Sequence, residues 1–269
     1  MEISLEQKRK ENLQAIKGFT LMDDTFMTEV FSGNTTATEY LLKVILTKPD
    51  LKVLHAVTQL PIANIQGKSI RLDIYAMDAD GKHYNIEIQQ RNDGAVPERA
   101  RLNSALFDAM LTKSGQKYTA IPETFVIFIT ENDVLGYGLP IYNIERTIQQ
   151  NHQLFNDKEH IVYVNGAYRE DDAFGQLMHD FHCTDYRAMH NKALASAVYY
   201  YKETPEGVDK MCEAMDRISA RRAEEAVLED RYETARLLWD NGEHDYDKIS
   251  KISRLTLEQV REALSIQSA

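Results

Sequence analysis

SIRLDIYAMDADGKHYNIEIQQ, residues 69–90, holds two runs of β-branched and aromatic residues, 69–77 and 83–89, around the turn-forming string Asp78-Ala79-Asp80-Gly81. A three-residue loop 79–81, with Gly81 in the left-handed position of a G1 bulge, sets Asp78 across from Lys82. In that register Asp73 stands across from Glu87, and Gln89 projects from the same face as Glu87. Two carboxylates about 5 Å apart repel each other and weaken the ladder unless something sits between them. A hard divalent cation, Mg²⁺ with Mn²⁺ as the alternative, suits two carboxylates and the nearby backbone carbonyl of Ile88. The competing reading is an exposed hairpin face whose acids are solvated one by one. The apolar residues on either side of both acids favour the ion, because an uncompensated buried charge costs several kcal/mol.

Working outward, Val53, His55, Val57 and Gln59 alternate with their neighbours as a strand leading into the hairpin. Before it, residues 34–46 show helical spacing at Ala37, Tyr40, Leu41, Val44 and Ile45, with Thr36 as N-cap and Pro49 beyond the end. After it, residues 96–111 return to helical spacing, with Pro97 in the first turn and Leu102, Ala105, Leu106, Ala109 and Met110 as the expected apolar face. TFVIFIT (124–130) and IVYV (161–164) read as strands buried on both faces. A helix between a hairpin and buried strands implies a mixed sheet with crossovers, hence α/β or α+β. From residue 173 onward only helices are expected, and the turn-forming stretch Glu203-Thr204-Pro205-Glu206-Gly207 sets the boundary between a domain at 1–203 and a helical region at 204–269.

The composition excludes several classes. With 43% hydrophobic and 27% charged residues the chain is globular, and Cys183 and Cys212 are too few for a disulfide framework. No apolar run approaches the roughly 18 residues of a membrane span, so a cytoplasmic protein without a membrane partner is expected. A net charge of −11 argues against coating nucleic acid by bulk charge, so a polyanion needs a local site. No Gly-x-Gly-x-x-Gly, P-loop, Gly-x-Ser-x-Gly or His-Glu-x-x-His string occurs.

The strings LMDDTFMTEVF (21–31), NTTATEYLLKVIL (34–46), RLDIYAMDADGKHYNIEIQ (71–89), TFVIFITEND (124–133) and IVYVNG (161–166) closely resemble, in order, the PD-(D/E)XK nuclease family transposases, also called the recombination-promoting nuclease family. The resemblance implies a restriction-endonuclease-like α/β core, a mixed central sheet flanked by helices, followed here by the all-helical C-terminal region. It also implies Mg²⁺-dependent cleavage of DNA in transposition or recombination. Asp73 matches the first motif acid, Glu87 the second, and Gln89 the position where the wider superfamily usually has Lys. That departure matters, because an amide orients water or phosphate only by neutral hydrogen bonds, whereas an ammonium supplies charge. It leaves a second reading open, a weak or inactive nuclease fold serving as a DNA-binding or assembly module.

In the leading reading Asp73, Glu87 and the Ile88 carbonyl hold the ion and Gln89 positions the attacking water. Glu39 is the candidate further acid, with Asp24 second to it. The segment 82–120 carries six basic residues against four acidic ones, which makes Arg101, Arg99 and Arg91 candidate phosphate contacts, Arg101 first because its helix directly follows the second motif strand, with Ser104 near its face; pairing of Arg99 and Arg101 with Glu98 and Asp108 is the alternative. His179, His182 and Cys183 have zinc-compatible spacing on a helix, but no fourth ligand is near, and a packed helix is the favoured reading. At the C-terminus, Thr256 and Gln259 form a capping box in a small helix-turn-helix whose acidic second helix suits packing or homodimerisation better than groove reading.

Overall fold

The computed structural model describes residues 5–63, 69–90 and 92–265. The chain forms two compact units, Met1–Ile62 with Ile70–Cys212, and Ala63–Ser69 with Glu213–Ala269. The first opens with helices α1 (Leu5–Gly18), α2 (Asp24–Phe31) and α3 (Thr35–Ile45), then strands β1 (Val53–Ile62), β2 (Ile70–Asp78) and β3 (His83–Gln89). Helix α4 (Pro97–Leu111) crosses to β4 (Thr124–Thr130); β5 (Ile141–Ile144), β6 (Glu159–Asn165), α5 (Ala173–His182) and α6 (Lys192–Glu203) follow. The six strands form one mixed sheet in the order β1-β2-β3-β4-β6-β5, with β3-β4 and β4-β6 parallel and the other pairs antiparallel. This is the expected α/β class. β5, which the sequence reading left out, is four residues long and partly exposed, too short and too polar to show a strand period.

The hairpin turn is built from its own side chains. Asp78 is buried, and its Oδ1 accepts the amides of Asp80 (3.0 Å) and Lys82 (2.9 Å) while Tyr84 donates to Oδ2 at 2.6 Å. Gly81 has φ +75°, the left-handed conformation that glycine adopts without strain. The resulting pairs, Met77 with His83 through Ile74 with Ile86, are those of the expected register. β2 turns Leu72, Ile74 and Ala76 into a buried face and leaves Asp73 and Tyr75 on the other, where Tyr75 packs edge-on against Phe107 of α4.

Two local expectations need correction. Asn34, not Thr36, caps α3, because its side chain is the one that accepts the Ala37 amide, at 3.0 Å. The buried face of α4 is Ala100, Asn103, Ser104 and Phe107, while Ala105, Ala109 and Met110 are exposed. Small and polar residues serve that face because Ser104 hydrogen-bonds Glu159 and Asp108 receives Thr124.

α7 (Pro205–Asp240) runs on from the first unit, and the division between the two units falls inside it. In the second unit, α8 (Tyr246–Ser253) and α9 (Leu257–Ser265) share a core of Ala235, Ile249, Leu255, Val260, Ala263 and Leu264 with the end of α7. The capping box is present, Thr256 and Gln259 exchanging bonds of 2.9 and 3.2 Å. No helix of the described residues is long and apolar enough to cross a membrane.

Candidate active site

β2 and β3 pair only as far as Ile74 and Ile86. Beyond that point β2 stays with β1 (Leu72 with Leu60) and β3 stays with β4 (Glu87 with Phe128, Gln89 with Thr130), so a gap opens between the two middle strands. Asp73 stands at the mouth of this gap across from Glu87, and its Oδ2 accepts the Ile88 amide at 3.0 Å. A strand residue directs its N–H and C=O to the same edge. The Ile88 carbonyl therefore faces the gap as well, whereas the Gln89 carbonyl turns to β4 and accepts the Glu131 amide.

Glu87 is fully buried. Oε2 accepts from Arg99 Nη2 at 3.0 Å, while Oε1 has no partner in hydrogen-bond geometry among the described residues; the Asn85 side chain and the Asp73 amide act on the carboxylate from nearby. Arg99 is delivered by the first turn of α4; its Nη1 donates to Gln89 Oε1 (3.1 Å) and to the Gly94 carbonyl (2.9 Å), and its guanidinium lies over the Phe128 ring. With Oε1 taken by Arg99, the other end of the Gln89 amide is its NH₂, a donor.

Asp24, the first residue of α2, adds a third acid: Gln59 Nε2 donates to its Oδ1 at 3.1 Å. Gln59 lies on β1 between the partners of Ile74 and Leu72, beside Asp73, and holds a left-handed φ of +56°. Such a backbone costs a non-glycine residue of order 1 kcal/mol or more and concentrates at functional sites. Burial first, then the charge of Glu87 and that of Asp24, push Asp73 well above the usual carboxylate range. Burial also raises Glu87, with Arg99 opposing. The oxygen-only donor set of Asp73 and Glu87, their mutual repulsion and the unbonded Glu87 Oε1 fit a hard divalent cation.

The structure brings together Asp73, Glu87, Gln89, the Ile88 carbonyl and Arg99. It does not bring Glu39. That side chain accepts from Lys43 (2.9 Å) and from the Val53 amide (3.1 Å) and pairs with Lys52 (3.3 Å), beside the hairpin tip, because Val53 is the partner of Asp78. Five strand residues, roughly 16 Å, separate that point from Asp73. Asp24, the second of the two candidate acids, lies nearer, and its charge bears on Asp73. Arg101 is exposed, outside the Arg99 network, and Ser104 is buried on another face of α4. Arg91 lies outside the described residues. Gln59 was missed altogether, and a left-handed residue inside a strand leaves no mark in the sequence pattern.

The sequence model of one family, PD-(D/E)XK nuclease family transposase, matches residues 30–168, more than half of the chain and the whole of this gap except Asp24. No curated protein and no solved structure matches the chain.

Proposed function

We propose that the chain, which belongs to the PD-(D/E)XK nuclease family transposases, is a divalent-metal-dependent DNA endonuclease that hydrolyses phosphodiester bonds in transposition or recombination. The observation that carries this reading is Glu87, fully buried with an idle Oε1 and set across a split ladder from Asp73. Asp73, Glu87 and the Ile88 carbonyl would hold the ion, Mg²⁺ or alternatively Mn²⁺, with Asp24 directly behind or through water. When bound, such an ion supplies a Lewis acid for the phosphoryl oxygens and lowers the pKa of water.

The chain's own residues supply the rest. Arg99 balances Glu87 and fixes the carbonyl end of Gln89, so that the Gln89 NH₂ points a donor at a phosphate or water oxygen. Arg99 also places the fixed positive charge that position 89 lacks, next to the acids rather than on β3. Arg101, exposed on the same helix, is proposed to meet the DNA backbone beyond the scissile bond. The second reading, a DNA-binding or assembly module that cuts poorly, draws on the neutral side chain at position 89. Calorimetry tests the site: one Mg²⁺ bound by the wild type and none by Glu87→Gln supports it, and equal binding by both sinks it.

A further inference from the structure

Away from the hairpin, the C-terminal end of α5 and the loop entering α6 bring His179, Asp180 and His190 together. Their ligand-capable atoms, one from each side chain, all lie within 4.8 Å of one another. Asp180 is fully buried and rigidly placed: Oδ1 accepts the His190 amide at 2.7 Å and Oδ2 the Asn191 amide at 2.8 Å. Its one ion-pair partner among the described residues is His179, whose Nδ1 is 3.4 Å from Oδ1. The two imidazoles meet edge to face with centroids 4.8 Å apart, and both reach solvent, His179 with 43% of its side chain exposed. The zinc-like spacing noted in the sequence resolves differently from the expected trio. His182 instead bonds the Met178 carbonyl (2.8 Å) and approaches Glu131, and Cys183 donates to the Asp185 carbonyl.

The geometry points to a second cation site at this junction, a two-histidine, one-aspartate site for a borderline transition ion of the Zn²⁺ class. Metal–ligand bonds of about 2.0–2.2 Å at tetrahedral angles set ligand atoms roughly 3.3–3.6 Å apart. The two solvent-facing rings close the remaining distance by side-chain rotation, while Asp180 stays where its two backbone amides hold it. Those amides orient the carboxylate from behind, the arrangement that fixes metal ligands in general. Imidazole nitrogens select Zn²⁺, Co²⁺ or Ni²⁺ over Mg²⁺, so the site differs in chemistry from the all-oxygen gap between β2 and β3. Three protein ligands leave a fourth position open to water, and the bound ion ties the end of α5 to the start of α6. The inference is independent of the nuclease reading.

The test is calorimetric titration of the full-length, EDTA-stripped protein with Zn²⁺ and spectroscopic titration with Co²⁺, in the presence of excess Mg²⁺. One Zn²⁺ is expected per chain. Affinity should persist in Glu87→Gln and fall more than about tenfold in His179→Ala and in His190→Ala, a half-buried and an exposed position, neither of them part of the hydrophobic core. Co²⁺ bound by the wild type should show the absorption of nitrogen ligation. Zn²⁺ affinity unchanged in both histidine variants, competition by Mg²⁺, or a Co²⁺ spectrum without nitrogen ligands would each overturn the assignment.

Discussion

Arg99 reaches from α4 to within 3.0 Å of Glu87 and is, among the described residues, the ion-pair partner of this buried acid. Removing one partner of a buried pair strands the other, at a cost of 3–5 kcal/mol when both are dry. Arg99 is 38% exposed, which reduces that figure through solvent screening. Arg99→Ala is expected to lose about 1–3 kcal/mol in urea unfolding with EDTA present. Saturating Mg²⁺ should recover part of the loss by taking over the compensation. A deficit of the same size with and without Mg²⁺ would separate Arg99 from the ion.

Asp73 and Glu87 are both raised, which sets a sign for the pH dependence. A carboxyl whose folded pKa exceeds its unfolded value binds more protons when folded, so stability falls as pH rises from about 4 toward the folded value and is flat above it. Thermal melts in EDTA should show this decline for the wild type. Asp73→Asn, which keeps an acceptor for the Ile88 amide, should flatten the profile and melt higher at pH 7. A lower melting temperature for Asp73→Asn in EDTA would contradict the repulsion between the two acids.

Glu39 and Asp24 separate by position. Glu39→Gln loses surface-type ion pairs with Lys43 and Lys52, worth up to about 1 kcal/mol. It should leave Mg²⁺ affinity and cleavage unchanged. Asp24→Asn removes a charge that bears on Asp73 and should weaken Mg²⁺ binding several-fold. The reverse ranking of the two variants in a calorimetric titration would place the third acid on α3.

Gln89→Lys puts an ammonium where Arg99 now donates at 3.1 Å. It restores charge near the reacting phosphate but repels both Arg99 and the ion. The variant should need more Mg²⁺ for half-maximal cleavage and still cut at saturating metal. An unchanged Mg²⁺ dependence and an unchanged rate would put Gln89 outside the site.

The parts legible in the sequence are those that local chemistry determines. The hairpin register follows from Asp78 and Gly81, whose turn geometry needs no distant partner, and the buried strands follow from unbroken apolar runs. The parts that were not legible depend on packing. α4 buries Ala100, Asn103, Ser104 and Phe107 because Glu159 and the sheet meet it there, so its most apolar spacing misleads. Nothing in α2 or α3 alone ranks Asp24 above Glu39; that ranking depends on which helix end lies over the split ladder. Arg99 entered as one of three candidate arginines, and only the crossover from β3 through α4 singles it out.

The measurement that bears most directly on the central claim is cleavage of supercoiled plasmid across a Mg²⁺ titration, with wild type and Asp73→Asn compared at equal folded concentration. The wild type is expected to nick or linearise the plasmid only with Mg²⁺ or Mn²⁺ present, and Asp73→Asn to leave it intact at any metal concentration. Cleavage by Asp73→Asn at the wild-type rate, or no cleavage by a wild type that has bound its metal, would contradict that claim.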